Sequence, residues 1–509
     1  MSSLPSPRRP PEGYLGATAR ITSGPAPELV EAGYALETSD APLLHRGLTL
    51  ADLGHLVELT ECGALTRAEA APVCTLLLDL LDSPVGDFPY DPVYGDAYNS
   101  REREFERRLG PAAGRMHLGR TRREAGRIAF RLGLRDRLLD LHSSVIRFAQ
   151  SAADQAARHA DTIWADTTYL QPAQPSTFGH YLGGFAEQAL RHLDRVEAAY
   201  RYADVCPGGA GGVGGTRLPL DRGRLARVLG FGSSGAHTRD AMWSADGLAD
   251  ALLAGVQASA TVSQLASDLE IFASPAFGYV TLDASLCRAS VLMPQKRNPY
   301  ALPVLRGGAS TLLGRLTGLI ASGLTPSART DNWLYAYGEA AGALDLAGRL
   351  IRLGAAVTEG LTVHADVLAK QAVTHFTAAA DLAEELTQRF RLDYRTAYRI
   401  VGKAVATAID GDGRLTVPVL RSAAVAVTGS ELPVSEGLLA EMNDPASLAA
   451  ARSAPGGASP SRVLEHAERV RARASAAQDW NSARRSHNAQ AEAALVMAAK
   501  SLAGTPAET

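Results

Sequence analysis

Residues 246–274, DGLADALLAGVQASATVSQLASDLEIFAS, carry a single helical period. Ala258, Val262, Leu265, Leu269 and Phe272 recur at alternating spacings of four and three. A seam at that spacing keeps one face turned toward a near-parallel neighbour, so the helix belongs in a bundle. Such a stripe is core rather than a cofactor site. Arg135 to Ala160 and Phe178 to Tyr202 repeat apolar residues at three and four in the same way, and Leu305 to Leu324 reads as a further helix. Ala, Leu and Arg dominate the composition and aromatics are few, which favours helix. The expected fold class is all-α, with a long central helical bundle over residues 113–365.

Smaller helical domains flank the bundle. In residues 17–112, Leu53, Leu56 and Leu59 share a helical face with Ala64, and Thr66 suits the cap of the next helix. SPVGDFPYDPVYGDAYN (83–99) is too rich in Pro and Gly for an element and reads as a connection. Residues 366–509 form a C-terminal helical domain and tail, with Gly402 and Gly456 as turn positions. Residues 1–16 contain Pro and Arg but no apolar core, so they read as a disordered tail rather than a signal peptide. At 509 residues the chain can bury a large core. Lys plus Arg number 51 against 54 Asp plus Glu, a balance that recruits neither nucleic acid nor an anionic membrane. Four cysteines without CxxC or CxH spacing argue against a zinc site or a disulfide scaffold and fit a cytoplasmic location. No apolar run reaches the ~20 residues that cross a bilayer.

Chemistry concentrates in Ser285–Pro299, SLCRASVLMPQKRNP. Pro294 and Pro299 interrupt regular structure and mark an ordered loop. Lys296 and Asn298 both donate hydrogen bonds and one carries charge, a pairing that suits a carboxylate. Cys287 has no histidine near it in sequence and is an unfavoured nucleophile. Arg115, Arg120, Arg122 and Arg123 crowd a second segment. They form either a solvated basic face or an anion site, with Arg120 and Arg123 expected on one helical side. The glycine run Cys206–Asp221 lacks the preceding strand and the GK[ST] ending of a phosphate loop.

MPQKRNP, with Ser290 six residues before Lys296, resembles the signature of the fumarase/aspartase superfamily, and MPQK most resembles argininosuccinate lyases. By this resemblance Ser290 is the base. The second serine of the family pattern is Val291. HLGRTRRE around Thr121, Arg122 and Arg123 resembles HTGRSRND, with Arg123 replacing an asparagine. TTYLQPAQP resembles THLQRAQP, which implies that Thr168 and Gln171 contact substrate. Tyr169 stands where most relatives carry a histidine with a part in proton transfer. Asp96 and Glu102 match acidic positions of the family, and Tyr98 replaces a histidine between them; Asp96 reads equally as a helix cap. His180 matches as well and reads first as a packed bundle residue. The glycine run is similar to a family segment whose backbone approaches substrate. A family block YNRDLQEDKE, which faces the amine substituent, is rebuilt here: Thr330, Tyr335 and Gly338 fall at its tyrosine, glutamine and lysine, and Tyr300 replaces an aspartate. The likeness extends from about residue 30 to 465.

The resemblance implies a β-elimination lyase acting on a substituted succinate such as an N-substituted aspartate, releasing fumarate and an amine or other leaving group. Its implied catalytic residues are Ser290, Lys296 and Tyr169. Thr121, Arg122, Arg123, Thr168, Asn298, Asp96, Gln171 and Tyr335 are its implied substrate contacts. No metal or cofactor is required. The partner is a small dicarboxylate, and the family's bundle implies a homotetramer with active sites shared between subunits. The rebuilt block points to a smaller or less polar leaving group than arginine. Two alternatives are a catalytically inert tetrameric scaffold derived from the lyase, and an adenylosuccinate lyase or carboxymuconate cycloisomerase type of enzyme.

Overall fold

The computed structural model describes residues 20–411 and 413–504, so the expected tail over 1–16 lies outside the described residues. The long helices are α1 (Ala41–Glu61), α2 (Arg122–Arg158), α3 (Phe178–Ala203), α4 (Asp246–Phe272), α5 (Ala301–Ser322), α6 (Ala336–Glu359) and α7 (Pro460–Ala503). The strands pair two by two in short ladders, so the architecture is helical, as expected. All five seam residues of α4 are buried, and this helix packs on α3, α5 and α6. At its crossing with α6 a Cβ on Gly354 would stand 2.7 Å from Val262 Cγ1, so only glycine permits that approach. Truncating a seam residue such as Leu269 to alanine costs about 2–5 kcal/mol, because the close-packed neighbours cannot collapse into the void.

α2 starts at Arg122, well before the expected Arg135, because Thr121 caps it by accepting the Glu124 amide at 3.4 Å. In the N-terminal layer Thr66 and Glu69 form a reciprocal capping box at the start of Arg67–Asp82. α7 changes the expected grouping of the C-terminal residues. Val463, Ala467, Val470 and Ala474 enter the bundle core, while Leu495, Ala499 and Leu502 close the apolar layer under α1. The stretch assigned to the C-terminal helical domain and tail is, over Pro460–Ala503, a 44-residue helix running along the bundle. A separate small core gathers Leu382, Leu386, Ile400, Leu420 and Leu438.

Two hairpins project from this frame. β1 (Ile163–Thr168) and β2 (Gln171–Thr177) are antiparallel and are anchored by Trp164, whose ring meets Phe178 at 5.5 Å and Phe272 at 5.6 Å. Their two-residue tip, Tyr169–Leu170, has φ of 55° and 59°, a left-handed pair that matches the twist of the strands. β3 (Arg288–Ala289) and β4 (Arg297–Asn298) pair across the Pro-rich loop. No helix among the described residues is long and apolar enough to cross a membrane.

Candidate active site

A dense polar constellation sits at the start of α2. Thr121 Oγ1 donates to the Gly211 carbonyl at 3.2 Å. Glu124, one turn on and fully buried, accepts the amides of Gly209 and Gly211 at 2.7 Å each. These bonds clamp the glycine run to the helix start. Gly211 has φ of 58°, and a Cβ there would lie 2.7 Å from the Gly215 carbonyl oxygen. Burial pushes the Glu124 carboxyl up to about 7, opposed by the two amides and by Arg120.

The arginines divide by role. Arg120 lies before the cap and off the helix, so it does not share a helical side with Arg123. It is buried, donating to the Ala51 carbonyl at 3.0 Å, to the Tyr98 hydroxyl at 3.2 Å and to Asp52, which Arg101 also engages. With both terminal nitrogens engaged inside the protein and its side chain buried, Arg120 holds the structure rather than a ligand. Tyr98, standing at the expected histidine position, is buried and its hydroxyl is pushed up to about 12 by desolvation. Arg122 pairs with Asp96 at 2.6 Å and Arg123 with Glu37 at 2.7 Å. Asp96 is also the cap of helix Ala97–Leu109, accepting the Asn99 amide at 2.9 Å.

These pairs wall a cleft completed by Asp40, Leu334 and Tyr337. Asp40 makes no ion pair among the described residues. Its Oδ1 lies where a Cβ on Gly338 would be only 2.4 Å away. Burial pushes its carboxyl up to about 6, and the charges of Glu37 and Glu339 add to the effect while the Gly338 amide opposes it. Sequence reading missed Glu37 and Asp40. The only available signal was two acids three residues apart ahead of α1. Tyr335 borders this region, 52% exposed, with its hydroxyl 3.5 Å from the Ala32 carbonyl.

The other expected site residues lie on the projecting hairpins. Thr168 and Gln171 flank the β1–β2 tip and are exposed, and Tyr169 is 98% exposed. On the Pro-rich loop, Ser290 Oγ accepts the Met293 amide at 3.0 Å and Asn298 Nδ2 donates to the Arg288 carbonyl at 3.0 Å. Lys296 is exposed, as are Val291, Leu292 and Met293. No hydrogen bond among the described residues joins either hairpin to the start of α2. One chain therefore presents three separate groups of expected site residues rather than one converged pocket. His180, half-buried, donates to the Gly456 carbonyl at 3.0 Å. Cys287 packs against the bundle core. Among the described residues no three His, Cys, Asp or Glu side chains are grouped to hold a metal ion.

Comparison with known proteins gives this geometry a context. The family model described as "Lyase" matches residues 61–314. The argininosuccinate lyase of Methanoculleus marisnigri is 30% identical over 420 residues, covering 81% of this chain and 84% of that protein. A solved variant of EDDS lyase with bound fumarate superposes with a TM-score of 0.83 at 27% identity, covering 96% of this chain and 97% of the other. At 19% identity and a TM-score of 0.67, the 3-carboxy-cis,cis-muconate lactonizing enzyme of Pseudomonas putida shares the fold, covering 86% of this chain and 99% of its own. Fold and matches together define a carbon–nitrogen lyase of the fumarase/aspartase superfamily. Within it, the chain belongs to the argininosuccinate lyase family.

Proposed function

We propose that the enzyme breaks the carbon–nitrogen bond of an N-substituted aspartate by β-elimination, releasing fumarate and an amine that carries a second positive charge. The single observation behind the amine is Asp40. Gly338 stands at the position where the resemblance expects a lysine, and a carboxylate without an ion pair lies against its amide. Relative to that expectation, the local charge is inverted from cation to anion. A substituent ending in an ammonium fits there; one ending in a carboxylate meets repulsion. This refines the expectation of a smaller or less polar leaving group: the demand is for charge of the opposite sign.

In this reading Ser290 removes the proton from the carbon next to a carboxylate, and Lys296 and Asn298 stabilise the dianion that forms. Collapse of that dianion expels the amine. Thr121, Thr168 and Gln171 bind carboxylate oxygens, and Arg122 and Arg123 add positive potential despite their carboxylate partners. Tyr169 orients or protonates the departing nitrogen. Because these residues occupy three places in one chain, the reading needs other copies: a homotetramer whose loops 285–299 and 168–171 close over the α2 start of neighbouring subunits. The exposed Val291, Leu292 and Met293 suit such closure. We place the enzyme in the cytoplasm, where its four free cysteines stay reduced.

The test runs the reaction in reverse. Fumarate is incubated with a panel of diamines, monoamines and amino acids, and loss of fumarate absorbance is followed. Consumption with diamines ahead of amino acids supports the proposal. Preference for arginine overturns the amine assignment, and no consumption with any amine overturns the reaction.

A further inference from the structure

We infer that Trp243 is a positioning residue of the lyase site, holding the glycine run so that its backbone amides receive a substrate carboxylate. The inference rests on the reaction proposed above but concerns the opposite end of the substrate from Asp40.

Three successive carbonyls of the run are drawn back into the protein by three side chains. Thr121 Oγ1 donates to Gly211 at 3.2 Å, Trp243 Nε1 to Gly212 at 2.9 Å and Thr238 Oγ1 to Val213 at 2.8 Å. No peptide bond among the described residues is cis. In a trans peptide plane the carbonyl and the following N–H point in opposite directions. The amides of Gly212, Val213 and Gly214 therefore face away from those donors. None of the three has a hydrogen-bond partner among the described residues, and all three residues are exposed. Amides on either side are already engaged: Gly209 and Gly211 by Glu124, Gly215 by the Ala210 carbonyl at 2.9 Å. What remains is a short row of outward backbone donors, a surface that accepts an anion without a side-chain charge.

Trp243 also joins this row to the amine side of the cleft. Its own carbonyl accepts from Asn332 Nδ2 and Trp333 Nε1, each at 3.3 Å. The buried Trp333 ring lies 3.7 Å under the Arg127 guanidinium, which in turn bonds the hydroxyl of the cleft residue Tyr337. One residue thus braces both the outward amides and the segment that lines the Asp40 cleft.

The experiment uses the full-length enzyme with the isosteric analogue benzothienylalanine placed at position 243 alone, which keeps the ring and removes its N–H. Calorimetry measures fumarate binding, and steady-state assays measure KM for fumarate and for a diamine. The expected result is fumarate affinity and KM weakened about tenfold, diamine KM within about twofold, and an unchanged melting temperature. A second variant carrying 5-fluorotryptophan, which retains the N–H, restores wild-type fumarate binding. Unchanged fumarate binding in the benzothienyl variant overturns the inference. So does a loss shared equally by both substrates with a lowered melting temperature, the mark of a purely structural role. Wild-type enzyme that binds no fumarate overturns it together with the proposed reaction, whereas wild type that binds fumarate but consumes no amine sinks only the latter.

Discussion

Asp40 sets the chemistry of the cleft at the scale of a single side chain. With its carboxyl pushed up to about 6, it is ionised near neutrality and gains its proton as the pH falls through that value. The expected outcome is a kcat/KM for a cationic amine that declines on the acid side below about 6, measured against a monoamine control that lacks this limb. Asp40→Asn should remove the pH dependence and raise KM for the diamine about tenfold, leaving KM for fumarate in place. Ser290 makes a separate prediction. Its hydroxyl sits on an exposed loop and supports only a turn, so Ser290→Ala should lower kcat by roughly a thousandfold, as loss of a general base does, without moving the melting temperature. A variant with full turnover would remove Ser290 from the reaction. Ser290 was legible in the sequence because a motif surrounds it, whereas Asp40 was not, since its importance depends on contact with a residue nearly three hundred positions away.

Among the elements, the junction of α2 with the glycine run is the most sensitive. Glu124 is buried between two backbone amides, and its carboxyl is held up to about 7 from an ordinary 4.5. The unfolded chain releases this proton first, so between those values the folded state binds more protons and stability falls as the pH rises through the window. The full effect is on the order of 3 kcal/mol, and thermal melts from pH 4 to 8 should record a decline that ends near 7. Glu124→Gln should flatten that slope and lower the melting temperature at every pH, because the carboxamide nitrogen confronts an amide N–H it cannot accept. A slope unchanged in the variant would mean that another group titrates there. The hairpins differ in kind. Their exposed tips carry expected site residues, as the proposed closure over a neighbouring subunit requires.

For the whole molecule, the separation of the three groups of site residues argues that one chain is incomplete. Sedimentation equilibrium should give a tetramer, and mixing inactive Ser290→Ala with inactive Thr121→Val subunits should restore part of the activity, since some hybrid sites then contain neither substitution. Activity absent from every mixture, with hybrids formed, would mean that each site comes from one chain. The amino-acid sequence by itself determined the helical bundle, because the period of Ala258 to Phe272 and its companions is a local property of each helix. It likewise singled out the loop proposed to react, because Ser290, Lys296 and Asn298 lie within nine consecutive residues. Only the tertiary structure decided that Arg120 is an internal strut, that residues 460–503 run along the bundle, and that Glu37 and Asp40 wall the cleft beside Arg123. Each of these depends on which distant groups meet in space and on whether water is excluded where they meet. Burial and ion pairing arise from packing, and neither is written in the spacing of residues along the chain.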